Sequence, residues 1–345
     1  MFSRVGSVDC KTRRSTGTGA DSFTVVAMRK CQSWRLVKLL TVSAVLVLSA
    51  QILVGVLSKE QVKTSPLPEQ EHRLLSPHSY QYVLNQPLCR DTSPFLLFLV
   101  PVAPQDNAAR EAIRKTWGAP GQDTLTVFYM GVPEGGQGSS LQDKLEEESR
   151  EHADIIQMNF LDSYQNLTIK TVMMMNWAAT HCPRASYVMK VDSDIFVNVF
   201  HLLRWLRSCP RQAFITGSVI NDGRPRRDID SKWYVSEEEY PEDSFPPYVS
   251  GAGYVLSADL AARISWASRF VRMISMEDVY LGLCLRVLGV QPVYALSLPT
   301  LRNLFEIRDL EYDRCTFAKL IIVNGFKASK LLQVWQDFSK GRSSC

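Results

Sequence analysis

Several common ligand-binding motifs are missing from this chain of 345 residues. It has no Cys-X-X-Cys pair and no Cys/His spacing of the zinc type, which excludes a zinc-finger module. The glycine cluster at residues 135–138 lacks the Lys-Ser/Thr of a P-loop and the glycine spacing of a dinucleotide fold, so we interpret it as a surface turn. Internal repeats and low-complexity tracts are also absent.

An excess of one charge sign is missing too, because 39 Lys and Arg face 35 Asp and Glu. This balance gives no support to nucleic-acid binding, and we expect no nucleic-acid partner. Much of the small basic excess precedes an apolar run at residues 39–57. As a helix, a run of about 19 residues would extend roughly 28 Å, which is close to the thickness of a bilayer core.

The basic N-terminal flank predicts type II membrane topology. We expect a cytosolic tail at residues 1–35, an uncleaved transmembrane anchor at 36–57, and a luminal chain after it. A cleaved signal peptide and a buried soluble helix are the alternatives. The charged front and the apolar core are both longer than in a signal peptide, and the run is apolar on all faces.

Residues 58–94 are polar, with scattered prolines and no sustained period, which is typical of a stem. Residues 95–345 would then form a luminal domain. Asn166-Leu167-Thr168 is a glycosylation sequon that is usable only in the lumen. An even number of cysteines follows the anchor, enough for three disulfides in an oxidising compartment. They are Cys89, Cys182, Cys209, Cys284, Cys315 and Cys345.

Predicted strands alternate with predicted helices from Phe95 onward. This alternation predicts an α/β fold with a mostly parallel sheet that is covered by helices on both faces. The predicted strands are residues 95–100, 124–132, 154–157, 187–191 and 214–220. The predicted helices are residues 107–117, 141–151, 166–181, 199–209 and 277–288.

Two aspartates one residue apart, Asp192 and Asp194, follow the apolar strand at residues 187–191. Ligands bind at such edges of α/β sheets. Both carboxylates can face a hard divalent cation and the diphosphate it carries, because oxygen ligands suit Mg²⁺ and Mn²⁺. The alternative is a turn in which Asp194 or Asn198 caps the following helix.

A second acidic pair, Glu277 and Asp278, opens a predicted helix that ends at Gly289. Acidic residues in a first helical turn are favoured by the helix dipole alone, which is the alternative to a catalytic role. Upstream of this pair, Gly251 and Gly253 would let the backbone come close to a bulky group, and we expect them to border a bound ligand.

Six blocks of the sequence together resemble glycosyltransferase family 31, the β-1,3-glycosyltransferases of the Golgi. They occur in the family's order within residues 95–345. Ser193, residues 231–234 and residues 277–280 look more like the β-1,3-galactosyltransferases than like the N-acetylglucosaminyl branch. The blocks are residues 110–118, 127–131, 154–171, 190–198, 245–254 and 277–282.

The resemblance implies an A-type glycosyltransferase fold, an inverting mechanism, Mn²⁺ and UDP-galactose as the donor. It also implies a Golgi membrane location and a glycan acceptor on a protein or lipid, ending in GlcNAc or GalNAc. Asp194 matches the metal-binding aspartate, and Asp192 matches the aspartate that faces the ribose and the donor sugar, with both counted as metal-site candidates. Asp278 matches the general base, with Glu277 beside it.

Further candidate ligands come with the resemblance. Arg110, Arg114 and Lys190 are candidates for contacts with UDP, with surface charges or partners for core carboxylates as the alternatives. Residues 232–234 (Lys232, Trp233 and Tyr234) are candidates for donor-sugar or acceptor contacts, with plain packing as the alternative.

One position departs from the family. Asn324 stands where the family typically has a histidine that acts as a metal ligand, and an amide oxygen is a weaker ligand for Mn²⁺ than imidazole. Two other functions stay open: a β-1,3-N-acetylglucosaminyltransferase, and a non-catalytic Golgi lectin or chaperone that retains the fold, which Asn324 favours. The two intact acidic pairs argue against the second.

Overall fold

The structure is a computed structural model that describes residues 80–86, 88–89, 93–121, 123–294, 306–308 and 310–340. The predicted cytosolic tail and transmembrane anchor lie outside these residues. Within the described part of the chain, no helix is both long enough and apolar enough to cross a membrane.

The strands form two sheets. The larger sheet has the order β1-β4-β3-β2-β5-β8-β7-β9, and the smaller has the order β10-β11-β6. The bounds are β1 Tyr82–Leu84, β2 Leu96–Pro101, β3 Thr124–Val132, β4 Ile155–Leu161, β5 Tyr187–Val191, β6 Ile195–Val197, β7 Ile215–Ile220, β8 Tyr248–Ser257, β9 Val293–Tyr294, β10 Glu306–Arg308 and β11 Ile322–Asn324.

The larger sheet is mixed. β4, β3, β2 and β5 are parallel neighbours, as the alternation of strands and helices predicts. β8 then runs antiparallel to both β5 and β7. Because β5 ends where the parallel strands end, Asp192 lies at the carboxyl edge of the sheet.

Helices cover both faces of the larger sheet. On one face α3 packs against α5 and α6. On the other face α1 packs against α8. The helix bounds are α1 Asn107–Arg114, α2 Ser140–His152, α3 Leu167–His181, α4 Val199–Leu206, α5 Ala258–Ala267, α6 Glu277–Leu288, α7 Arg314–Phe317 and α8 Ala328–Lys340.

Alternation along β2 divides the hydrophobic core in two. Leu97 and Leu99 belong to one cluster, which includes Trp177 and Tyr280. Leu96, Phe98 and Val100 belong to the other, which includes Trp117 and Phe196. Successive side chains of a strand point to opposite faces, so the sheet separates the two clusters.

Local capping sets the ends of the two helices that border the acidic pairs. The Asn198 side chain caps α4, because its Oδ1 accepts a hydrogen bond from the backbone N–H of His201 at 3.0 Å. The capping role considered for Asn198 is therefore confirmed. α6 ends at Gly289, whose φ of 65° is left-handed and favours glycine.

The folded domain begins before Phe95. β1 pairs with β4, a disulfide joins Cys89 to Cys182, and Trp177 Nε1 donates to Asn85 Oδ1 at 2.9 Å. Residues 82–86 and 88–89, which we assigned to the stem, therefore belong to the domain. A three-residue edge strand is too short to show a period in the sequence.

The six cysteines after the predicted anchor could form three disulfides, but two of the six are free. Cys315 is disulfide-bonded, but Cys209 and Cys284 are free. The sheet keeps the two free thiols apart, because Cys284 lies in the cluster with Trp177 whereas Cys209 packs against the cluster with Trp117.

Candidate active site

The two acidic pairs meet at the side chain of Lys190. This residue precedes the aspartates on β5, and its Nζ donates to Asp192 Oδ1 at 2.7 Å and to Glu277 Oε1 at 2.8 Å. It also donates to the carbonyl oxygen of Gly251 on β8. The start of α6 therefore lies against the carboxyl end of β5.

Lys190 is a buried cation that is hydrogen-bonded only to groups of the protein. Burial alone would lower the pKa of its ammonium, but the charges of Asp192 and Glu277 raise it overall. An ammonium has three N–H donors, and here all three have protein acceptors. Lys190 is thus occupied within the protein, and the contact with UDP that we considered would compete with these three bonds.

Glu277 is held on both carboxylate oxygens. Oε1 accepts from Lys190, Oε2 accepts from Thr171 Oγ1 at 3.3 Å, and the residue is only 8% exposed. Burial raises its pKa to about 7, although the charge of Lys190 acts to lower it. Both oxygens of Glu277 are therefore used inside the protein, which suits a positioning role better than contact with substrate.

Asp278 keeps the more accessible carboxylate of this pair. It is half-buried, Oδ2 accepts from the backbone N–H of Gly251 at 3.3 Å, and Oδ1 accepts from that of Val279 at 2.8 Å. Burial raises the pKa of Asp278 against these two hydrogen bonds. A raised pKa makes a carboxylate a stronger proton acceptor, as a general base requires.

The bulky groups beside the two glycines are parts of the protein. A Cβ at position 251 would lie 2.7 Å from Glu277 Oε1, and a Cβ at position 253 would lie 3.0 Å from Ile322 Cδ1. Gly251 therefore borders the acidic pair of α6, whereas Gly253 packs under the smaller sheet. The structure gives these glycines a packing reason that the sequence did not show.

Asp194 is exposed and lies beyond β5, at the carboxyl edge of the larger sheet. Partial burial and the like charge of Asp192 raise its pKa. Asn324 lies close by along the backbone, because it pairs with Ile195 across β11 and β6. No group of three or more His, Cys, Asp or Glu side chains is arranged to hold a metal among the described residues.

An aromatic residue that the sequence analysis missed borders the site. Tyr164 lies between β4 and α3 and is 43% exposed. Burial raises its pKa, and the charges of Asp278, Glu277 and Asp192 raise it further, so Tyr164 is within electrostatic range of both acidic pairs. Its position after the carboxyl end of a parallel strand was the available signal in the sequence.

The loop between β7 and β8 reaches this aromatic residue. Lys232 Nζ lies 4.6 Å from the centroid of the Tyr164 ring. Trp233 is 46% exposed, and the guanidinium of Arg226 lies 5.0 Å from its ring centroid. Tyr234 is half-buried and bridges to Arg226 through the backbone. Of these three candidates, Lys232 is the one that the structure links to the acidic cluster, through Tyr164.

Arg110 and Arg114 bind carboxylates of the domain instead. Arg110 is 1% exposed and donates to both carboxylate oxygens of Glu148, at 2.8 and 2.6 Å. Arg114 donates to both oxygens of Asp154 at 2.8 Å and to Glu111 at 2.9 Å. Both arginines are therefore partners of carboxylates within the domain, which was the alternative to a contact with UDP.

The sequon lies just after Tyr164. Asn166 is half-buried, and its Nδ2 donates to the carbonyl oxygen of Leu161 at 2.8 Å. The hydroxyl of Thr168 is buried and donates to the carbonyl oxygen of Ile274 at 2.7 Å. Glycosylation of Asn166 stays a prediction.

Comparison with known proteins identifies relatives. The Galactosyltransferase family model matches residues 108–295. Beta-1,3-galactosyltransferase 2 from Mus musculus is 41% identical over 276 residues, which cover 77% of this chain and 64% of that protein. This chain therefore aligns with just under two thirds of that relative's length. Beta-1,3-galactosyltransferase 1 from Mus musculus is 40% identical over 275 residues, covering 77% of this chain and 81% of that protein.

Similarity to solved structures is weaker. The structure of the galactosyltransferase LgtC with donor and acceptor sugar analogs has a TM-score of 0.37 and 8% identity, covering 72% of this chain and 100% of that one. A similarity this low adds no support of its own. On the family match and on both identities, the chain belongs to the galactosyltransferase family, glycosyltransferase family 31.

Proposed function

We propose that this chain is an inverting β-1,3-galactosyltransferase with an A-type glycosyltransferase fold. It would move galactose from UDP-galactose to the 3-hydroxyl of a terminal GlcNAc or GalNAc on a glycoprotein or glycolipid glycan. The observation that carries this proposal is the convergence of the two acidic pairs, since Lys190 binds both Asp192 and Glu277.

In this proposal Asp278 is the general base. Inversion by single displacement needs one carboxylate to accept the proton of the acceptor hydroxyl as its oxygen attacks the anomeric carbon of the donor sugar. Asp278 has the accessible carboxylate and the raised pKa for this role. Lys232, which lies over the ring of Tyr164, is the candidate for contact with an acceptor or donor sugar.

The residues around Asp194 fit a hard divalent cation such as Mn²⁺. Partial burial and then the like charge of Asp192 raise the pKa of Asp194, and a bound cation would offset both effects. Asp194, Asp192 and the amide oxygen of Asn324 are all oxygen donors, which Mn²⁺ and Mg²⁺ accept. When bound, the cation supplies charge that stabilises the diphosphate leaving group.

The proposed location is the Golgi membrane, with the catalytic domain in the lumen and residues 36–57 as the anchor. The disulfide between Cys89 and Cys182 supports a luminal domain, because disulfides persist in oxidising compartments. Proteolysis of sealed membrane vesicles tests this topology, since a luminal domain is protected until detergent is added.

A donor and acceptor panel tests the activity. The full-length protein in detergent is incubated with UDP-galactose or UDP-GlcNAc, Mn²⁺, and acceptors ending in GlcNAc or GalNAc, and the products are analysed by mass spectrometry. We expect galactose transfer with release of UDP. Transfer from UDP-GlcNAc alone would make the chain an N-acetylglucosaminyltransferase, and no UDP release at all would favour a non-catalytic lectin.

Asp194→Ala should lose donor binding together with transfer, because Asp194 is the proposed metal ligand. The matched control is Asp143→Ala, which removes an exposed carboxylate on α2. Equal affinities of the two variants for UDP in the presence of Mn²⁺ would remove Asp194 from its role.

A further inference from the structure

Lys190 connects three separate elements of the fold at one atom. Its Nζ binds the Asp192 carboxylate beyond β5, the Gly251 carbonyl on β8 and the Glu277 carboxylate at the start of α6. Its side chain is only 4% exposed and its bond to Glu277 is buried, whereas the Asp192 side chain is 41% exposed. Such a buried contact is costly to break, because removing one partner leaves a charge unpaired.

Gly251 carries this connection on to the general base. Its carbonyl oxygen accepts from Lys190, while its backbone N–H donates to Asp278 Oδ2 at 3.3 Å. Both bonds belong to Gly251, so a displacement of this residue that changes the bond to Lys190 also changes the bond to Asp278. A side chain at this position would meet Glu277 Oε1 at 2.7 Å, which explains the need for glycine.

We propose that Lys190 and Glu277 form a positioning unit that orients the Asp278 carboxylate through Gly251, with Lys190 acting on the base and not on the donor. The proposal rests on the proposed function, in which Asp278 is the general base. Neither Lys190 nor Glu277 would be a catalytic residue, because neither would touch the substrate.

Electrostatics give the unit a measurable signature. The charge of Lys190 acts to lower the pKa of Asp278 against the effect of burial. The other titratable groups around Asp278 come from its own helix, from β5 and its end, from β8, and from the segment before α3. They are Glu277, Asp192, Tyr248, Tyr254 and Tyr164.

Lys190→Met tests the proposal in the full-length protein. We expect kcat to fall by about tenfold or more, while KM for UDP-galactose stays within about threefold. The acidic limb of the kcat profile should move to higher pH by about one unit, because the cation that lowers the pKa of Asp278 is gone. Glu277→Gln should also lower kcat, because it weakens the contact that holds Lys190 against Gly251.

Arg110→Met is the matched control. It removes a buried cation of similar exposure that binds Glu148 and has no bond to Gly251 or Asp278. We expect it to lower the thermal unfolding temperature without moving the acidic limb of kcat. A general loss of stability therefore cannot produce the shift expected for Lys190→Met.

Two results would overturn the proposal. In the first, Lys190→Met raises KM or the Kd for UDP more than tenfold and leaves the acidic limb in place, which would make Lys190 a donor ligand. The second is a double-mutant cycle of thermal unfolding in which Lys190→Met and Glu277→Gln are additive. That cycle needs no enzymatic activity. If the wild-type protein transfers no sugar, the proposed function fails, and the cycle still decides whether the Lys190–Glu277 unit exists.

Discussion

Two clusters of charged side chains in this domain serve different ends. The first, which we call the structural cluster, joins α1 to α2 and β4 and contains Arg110, Arg114, Glu111, Glu148 and Asp154. The second, the active-site cluster, lies at the carboxyl edge of the sheet and contains Lys190, Asp192, Asp194, Glu277 and Asp278.

The clusters differ in charge balance. Burial acts to raise the pKa of Glu148, but Arg110 and Arg114 lower it to about 2. In the active-site cluster one lysine faces four carboxylates, and burial raises the pKa of Glu277 to about 7. Near-balance makes the first cluster a stable brace, whereas the unbalanced second cluster has spare negative charge for a cation or a proton.

The largest effect should come from the unbalanced cluster. Asp278→Asn keeps the size of the side chain but removes the proton acceptor, so we expect kcat to fall by about 10³-fold or more, while UDP binding with Mn²⁺ is retained. Steady-state transfer assays and calorimetric titration of UDP measure the two quantities. An unchanged kcat would show that Asp278 is not the base.

Glu148→Gln should break the balanced cluster and act on stability alone. Arg110 and Arg114 would each lose a carboxylate partner, which should lower the free energy of unfolding by about 2 kcal/mol. This loss is small for a buried ion pair because the site is partly solvated. The folded pKa of Glu148 is lowered, so its contribution is present above about pH 4.5 and is lost as the pH falls toward 2.

Denaturant unfolding at pH 7 and at lower pH measures this difference. The matched control is Glu147→Gln, the exposed neighbour on α2, which should change the free energy of unfolding by less than about 0.5 kcal/mol. Equal effects of the two variants at pH 7 would show that the balanced cluster does not brace the domain.

Gly251→Ala tests how tightly the active-site cluster is packed. The added Cβ would lie 2.7 Å from Glu277 Oε1, so the carboxylate has to move. We expect kcat to fall by about tenfold, since a small displacement of a catalytic group costs this much or more. Gly138→Ala is the control, because nothing lies within 4 Å of its Cβ. Matching kcat values would argue against a tight approach at Gly251.

Asn324→His should have the smallest effect and should sharpen the metal assignment. Imidazole is a better ligand for Mn²⁺ than an amide oxygen. We therefore expect the Mn²⁺ concentration for half-maximal activity to decrease, by about tenfold at most. Asn324→Ala should raise it. An Mn²⁺ requirement that neither variant alters would place Asn324 outside the metal site.

Much of the fold was predictable because its signals are local. The strand at residues 124–132 and the helix ending at Gly289 were found with the observed bounds, since period, caps and glycine act within a few residues. β1 was missed because three residues at a sheet edge carry no period. Tyr164 was missed because its position after a strand does not by itself show that the loop turns toward the acidic pair of α6.

The α/β pattern, the position of Asp192 and Asp194 after a strand, and the family resemblance could all be read from the order of the amino acids. Which charged side chains meet became visible in the folded domain. The tertiary structure assigned Arg110 to Glu148 and Lys190 to both acidic pairs, although all three basic residues were equal candidates for UDP. The reason is physical: strand and helix signals are short-range, whereas the partner of a buried charge is set by long-range packing and desolvation.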